Sequence, residues 1–160
     1  MSSASCTRRS YQADVLLVPL EPCSRAAVQS PAPFDALNGI AIAGTDTPLG
    51  DTGFRPDGVS RPDVVVMLAH DLAMVDPGLV TRVSASARAS GALVGAIVIS
   101  PDRSWDGPEA RRTATELRAA ADTVVVLTDM SPAVALLRVL RGGPQTADKA
   151  GPIRREADRS

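Results

Sequence analysis

The sequence predicts an α/β protein: a three-layer, Rossmann-like sandwich in which a mostly parallel sheet of about five strands carries helices on both faces. Three observations predict it. The runs ADVLLVPL, DVVVMLA, LVGAIVIS and TVVVL are nearly free of polar residues, as strands buried on both faces are. Segments with apolar residues at helical spacing alternate with them. Proline, glycine and aspartate stand between the two kinds of segment, where turns are needed. With 160 residues, 44% of them hydrophobic, the chain fits a single domain on a scale of about 150 residues per domain.

Taken in order, residues 1–12 read as a flexible leader, Ser-rich and without the apolar stretch of a secretory signal. Ala13 to Leu20 reads as the first buried strand. Ser24 to Ser30 is expected to be a short helix capped by Ser24, limited to about two turns by Pro31 and Pro33. Leu37 to Ala43 reads as a second strand, and Gly44 to Pro62, crowded with Gly, Pro, Asp and Thr, as loop. Asp63 to Ala69 is the clearest strand of the chain. After a loop from His70 to Pro77, a helix is expected from Gly78 to Ser90 on the stripe Leu79, Val83 and Ala87. Leu93 to Ser100 reads as a strand and Pro108 to Ala121 as a helix with proline in its first turn. Thr123 to Leu127 is the last strand. Ser131 to Arg141 is the last helix, opened by Ser-Pro and closed by Gly142-Gly143. The domain thus spans 13–142, and the polar segment 143–160 is expected to be a disordered tail.

Composition removes several classes of function. Eighteen acids against 17 bases leave no cationic surplus for nucleic-acid phosphates. No apolar run is long enough for a membrane span. Cys6 and Cys23 stand outside any C-x-x-C pair, so two free thiols in a reducing, cytoplasmic setting are expected. With His70 the only histidine, multi-histidine zinc sites are excluded. No G-x-G-x-x-G, P-loop or G-x-S-x-G motif occurs. Asp51-Thr52-Gly53 reads as a turn, because it does not end an apolar strand as a protease aspartate does. His70 next to Asp71 could handle protons, but reads better as a strand-end residue helping to cap the helix near Gly78. Trp105, in a polar loop, could stack on a base but reads better as packing over the sheet end.

The stretch from Asp63 to Ile99, with Gly91-Ala92-Leu93-Val94, resembles the nucleotide-binding half of the tubulin and FtsZ family. Ser100-Pro101 through Trp105-Asp106-Gly107, Glu116-Leu117-Arg118 with Ala121-Asp122-Thr123, and Leu140-Arg141-Gly142 follow in the family's order. Upstream, Asn38-Gly39-Ile40 to Thr45-Asp46 is similar to its strand ending in Asn-Thr-Asp-Ala. The resemblance runs from about Asp14 to Gly142 and implies a pocket built from Thr45, Asp46, Gly78, Asp106, Arg111 and Asp129. It also implies that this pocket is vestigial. Where the family has its glycine-rich phosphate loop, this chain has Leu72 to Gly78, with Gly78 alone retained; Asp76 brings a negative charge and Pro77 removes an N–H donor. Leu20-Glu21-Pro22-Cys23 replaces the first loop and again offers a carboxylate. No catalytic residue and no cofactor are expected, GTP or GDP in an altered pocket being the alternative. The implied role is a non-catalytic interaction or regulatory protein. Its expected partner is a protein, FtsZ or another division protein, or a second copy of itself.

Overall fold

The computed structural model describes residues 12–30, 36–44, 61–103 and 105–142. Its elements are β1 (Val15–Pro19), α1 (Pro22–Gln29), β2 (Ala41–Ile42), β3 (Val64–Ala69), a 3-10 turn (Leu72–Met74), α2 (Pro77–Ala89), β4 (Leu93–Ile99), α3 (Pro108–Ala120), β5 (Thr123–Leu127) and α4 (Met130–Arg141). The five strands form one sheet in the order β2-β1-β3-β4-β5, with every neighbouring pair parallel. This is the expected α/β sandwich, and its strand order is the one that flavodoxin and CheY share.

Strand residues alternate between two apolar layers. Leu16, Val18, Val65, Met67, Val94, Ala96 and Val98 meet Val80, Val83 and Ala87 of α2 and Ala110, Ala114 and Leu117 of α3. Val15, Leu17, Val66, Leu68, Ile97 and Ile99 meet Val28 of α1 and Ala133 and Leu137 of α4. Strands apolar at both parities therefore have a helix pair on each side, as parallel sheets require. Small residues on α2 and α3 let these helices approach: the Ser84 hydroxyl donates to the Ala120 carbonyl at 2.7 Å, and Arg88 reaches the same oxygen and Asp122.

Three element expectations need correction. The second strand covers only Ala41–Ile42, because Leu37 to Gly39 turn instead, with Gly39 at φ +83°. α1 is capped by Glu21, not Ser24; Ser24 occupies the third helical position and returns the bond, closing a capping box. α2 is capped by Asp76, whose carboxylate accepts the Gly78 N–H at 2.9 Å, while His70 takes no part. Proline at Pro77, Pro108 and Pro132 falls in the first turn of its helix, where no N–H is lost. The leader before Gln12, most of the segment 44–62 with Asp51-Thr52-Gly53, and the tail from 143 onward lie outside the described residues.

Gly39 is required twice over. Its positive φ disfavours any side chain, and a Cβ there would collide with the Arg141 guanidinium, which donates to the Asn38 carbonyl at 3.2 Å. Gly39→Ala is expected to lower stability by about 1–2 kcal/mol in urea unfolding, the cost of a left-handed conformation plus the displaced bond.

Candidate functional site

In an open parallel sheet the ligand crevice lies beyond the carboxyl ends of the strands, where the strand order reverses; here that is between β1 and β3. The turns leaving these two strands are Leu20-Glu21 and His70-Asp71. Glu21 joins them. Its side chain is buried at 1% exposure, and its two oxygens collect three backbone N–H groups. Oε2 accepts from Cys23 at 2.6 Å, and Oε1 accepts from Ser24 at 2.9 Å and from His70 at 2.8 Å. Two donors come from the first turn of α1 and the third from the end of β3. Such convergence of N–H groups at a helix N-terminus is how these folds hold phosphates. In this chain it holds the protein's own carboxylate.

The other turns on this edge follow the same pattern. Asp71 caps the 3-10 turn by accepting from Ala73 at 3.0 Å, Asp76 caps α2, and Asp129 caps α4 by accepting from Ser131 at 2.8 Å. Among the described helices only α3 begins without a side-chain cap, at Gly107 with φ +98°. At the three capped starts a carboxylate takes one of the orphan N–H groups that an anionic ligand would use.

No family model matches the chain, and no curated protein matches it.

The residues implied by the resemblance disperse along this edge. Gly78 sits in the first turn of α2 with its N–H on Asp76, and a Cβ there would lie 3.1 Å from Arg82 and 3.2 Å from the Asp76 carboxylate. Asp106 and Arg111 are exposed, in the turn before α3 and in its first turn, on the α2 side of the sheet. Asp129 is the α4 cap, on the opposite side. Thr45 and Asp46 lie outside the described residues. Among the described residues no cluster of three or more metal-ligating side chains occurs, and no helix is long and apolar enough to cross a membrane.

Burial pushes the Glu21 carboxyl up, but the His70 N–H, the Ser24 side chain and the N–H groups of Cys23 and Ser24 outweigh it, so the group stays below the ordinary glutamate value. Burial also pushes His70 down against the attraction of Glu21, and its buried Nδ1 has no hydrogen-bond partner. On balance the site favours the neutral imidazole. Trp105 packs against the α2 and α3 layer, with Arg118 5.2 Å from the centre of its ring.

Glu21 was legible only as one more carboxylate in a loop. Its spacing to Ser24 in E-x-x-S was the available signal, since a capping pair reads in either direction at that interval. The charge of Glu21 has a measurable neighbour: with a contribution from Asp71 it raises the exposed Cys23 thiol above its ordinary value. Iodoacetamide is expected to modify Cys23 more slowly in the folded protein than in urea, followed by mass spectrometry of its peptide. Glu21→Gln should speed the folded reaction; an unchanged rate would mean that the carboxylate charge does not reach the sulfur.

Proposed function

We propose that this domain is a non-catalytic interaction or regulatory module whose ligand crevice is closed by its own Glu21 carboxylate. The observation that carries this reading is the three-donor cradle at the β1–β3 switch point, filled from within the chain. A phosphate entering it would have to displace a buried carboxylate and would meet Asp71 and Asp76 in the adjacent turns. A fold alone does not decide function, so the reading rests on these residues and not on the strand order. The resemblance to the tubulin and FtsZ family adds one class of partner, a division protein, and the proposal stands without it.

The alternative is a small-molecule or nucleotide protein with an altered pocket. One observation favours it: α3 starts without a cap, between the exposed Asp106 and Arg111. Thermal unfolding with GTP and GDP separates the two. The module reading expects no change in Tm, whereas a nucleotide present at 100 times its Kd would add about 2.7 kcal/mol of stability. A clear shift with either nucleotide would replace the proposal by its alternative.

A further inference from the structure

The sheet ends in two unlike edges. β2 is two residues long, and a very short strand is one of the ways in which proteins blunt an edge. β5 ends the other side with five residues, TVVVL, that carry no charge, proline or glycine. Among the described residues it pairs with β4 alone. Its main chain therefore has a free side. The Leu127 carbonyl accepts the Ser100 N–H at 2.7 Å and so faces β4. By the alternation of a parallel ladder Val125 faces β4 as well, while the N–H and C=O groups of Val124 and Val126 point away from the sheet. The helical layer stops short of this edge on the side of α1 and α4. There Leu93 is 65% exposed, Thr123 is exposed and Val125 half-buried, and a Cβ on Gly95, in register with Thr123, would meet only the Val66 side chain at 3.8 Å.

Outward N–H and C=O groups on an apolar strand are complementary to another extended main chain. The charges at the two ends select which one. Asp122 precedes β5 and Asp129 follows it, both exposed, and no basic residue stands between Arg118 and Arg138. Arg88 is paired with Asp122, whereas Asp129 has no ion pair among the described residues. A second copy of β5, laid antiparallel so that Val124 of each faces Val126 of the other, would set Asp122 of each copy beside Thr128 and Asp129 of the other. Acid would meet acid at both ends. We propose that β5 accepts an extended segment of a partner protein as a further strand, uncharged along Thr123–Leu127 and with a basic residue beyond each end. The main-chain groups of Val124 and Val126 supply the attachment, and Asp122 and Asp129 supply the selection. The proposal rests on the reading of the domain as an interaction module and names the chemistry of its partner.

Amide hydrogen exchange of the full chain, followed by NMR, tests it with two synthetic peptides of alternating valine and threonine, one ending in lysine at both ends and the other in glutamate. In the free chain Val125 should be protected, and Val124 and Val126 should exchange fast. The lysine peptide is expected to slow Val124 and Val126 at least about tenfold and to leave Val125 as it was; the glutamate peptide should have no such effect. Val126→Pro removes an outward N–H without touching the β4 ladder, so it should keep the circular dichroism of the domain and lose the protection of Val124. Asp129→Asn keeps the α4 cap, since asparagine caps as well as aspartate, and should weaken binding of the lysine peptide at least about threefold. Absence of protection with the lysine peptide overturns the proposal, as does equal protection by both peptides. Protection that appears without peptide and grows with protein concentration, as the mass doubles from 16.6 kDa, would give the edge to a second copy and overturn it too. A Tm shift with GTP or GDP bears on the closed crevice alone and leaves each of these outcomes readable.

Discussion

Replacing Glu21 by alanine is expected to destabilise the domain by about 3 kcal/mol, more than any other single polar substitution at this edge. The side chain is 1% exposed and serves three N–H groups, so its removal strands donors of Cys23, Ser24 and His70 together. A lost N-cap typically costs about 1 kcal/mol, and each buried donor left without an acceptor about 1–3 kcal/mol, partly relieved where water enters. Glu21→Gln keeps an acceptor for one side of the cradle but turns an NH2 group toward the other, and should fall between the two. Urea unfolding gives both values. Formate added to the alanine variant should return part of the lost stability, since a small carboxylate can occupy the vacated cradle. A loss below about 0.5 kcal/mol, the scale of an ordinary surface change, would show that the cradle is not a structural tie.

The same residue sets a pH dependence whose sign follows from its lowered pKa. A carboxyl that ionises more readily when folded stabilises the fold fully above its unfolded value of 4.5, and this contribution drains away as pH falls through the lower folded value. His70 acts in the same direction at higher pH. Its folded pKa lies below 6.5, so as pH falls through that value the unfolded chain takes up a proton that the folded chain resists. Stability should therefore decline on acidification in two stages, the later one missing in Glu21→Gln. A flat profile below pH 6 would contradict both assignments.

Leu68→Ala is expected to cost about 3 kcal/mol, read from the urea midpoint at constant m-value. Leu68 is completely buried in β3, the central strand, in register with Pro19 of β1 and Ile97 of β4. Its side chain packs into the layer beneath α1 and α4, so truncation leaves a cavity that neighbouring strands cannot close. The backbone should be untouched: Leu68 accepts from the Leu20 N–H at 2.9 Å, and His70 follows two residues later in the Glu21 cradle. Leu68→Ala is accordingly expected to keep the acid-stage slope that Glu21→Gln removes. Leu68→Met, close in volume, should cost less than about 1.5 kcal/mol.

Much of the fold was legible because its signals are local. VVVMLA and LVGAIVI can be buried on both faces only inside a parallel sheet, and prolines at Pro77, Pro108 and Pro132 mark helix starts wherever the chain folds. LNGIAIA reads as a strand along its whole length, yet Asn38-Gly39 turns under the Arg141 guanidinium, a contact between residues far apart in sequence. The capping role that the sequence suggests for His70 belongs to Asp76, two residues before the Gly78 N–H it accepts. Of the residues that the family resemblance implies, the described ones share an edge of the sheet but fall on both of its sides; the Gly78 N–H is taken by the Asp76 cap, and Asp129 is itself the cap of α4.

By itself the sequence determined the class of fold and the place of most elements, since hydrophobic period, proline and glycine act within a few residues. Strand order and the contact between the turns that follow β1 and β3 were decided only by tertiary structure. Glu21 and His70 are brought together by the pairing of β1 with β3, and no local pattern records which strands become neighbours. A carboxylate that looked like an obstacle to phosphate is, in the folded chain, the anion that the cradle holds.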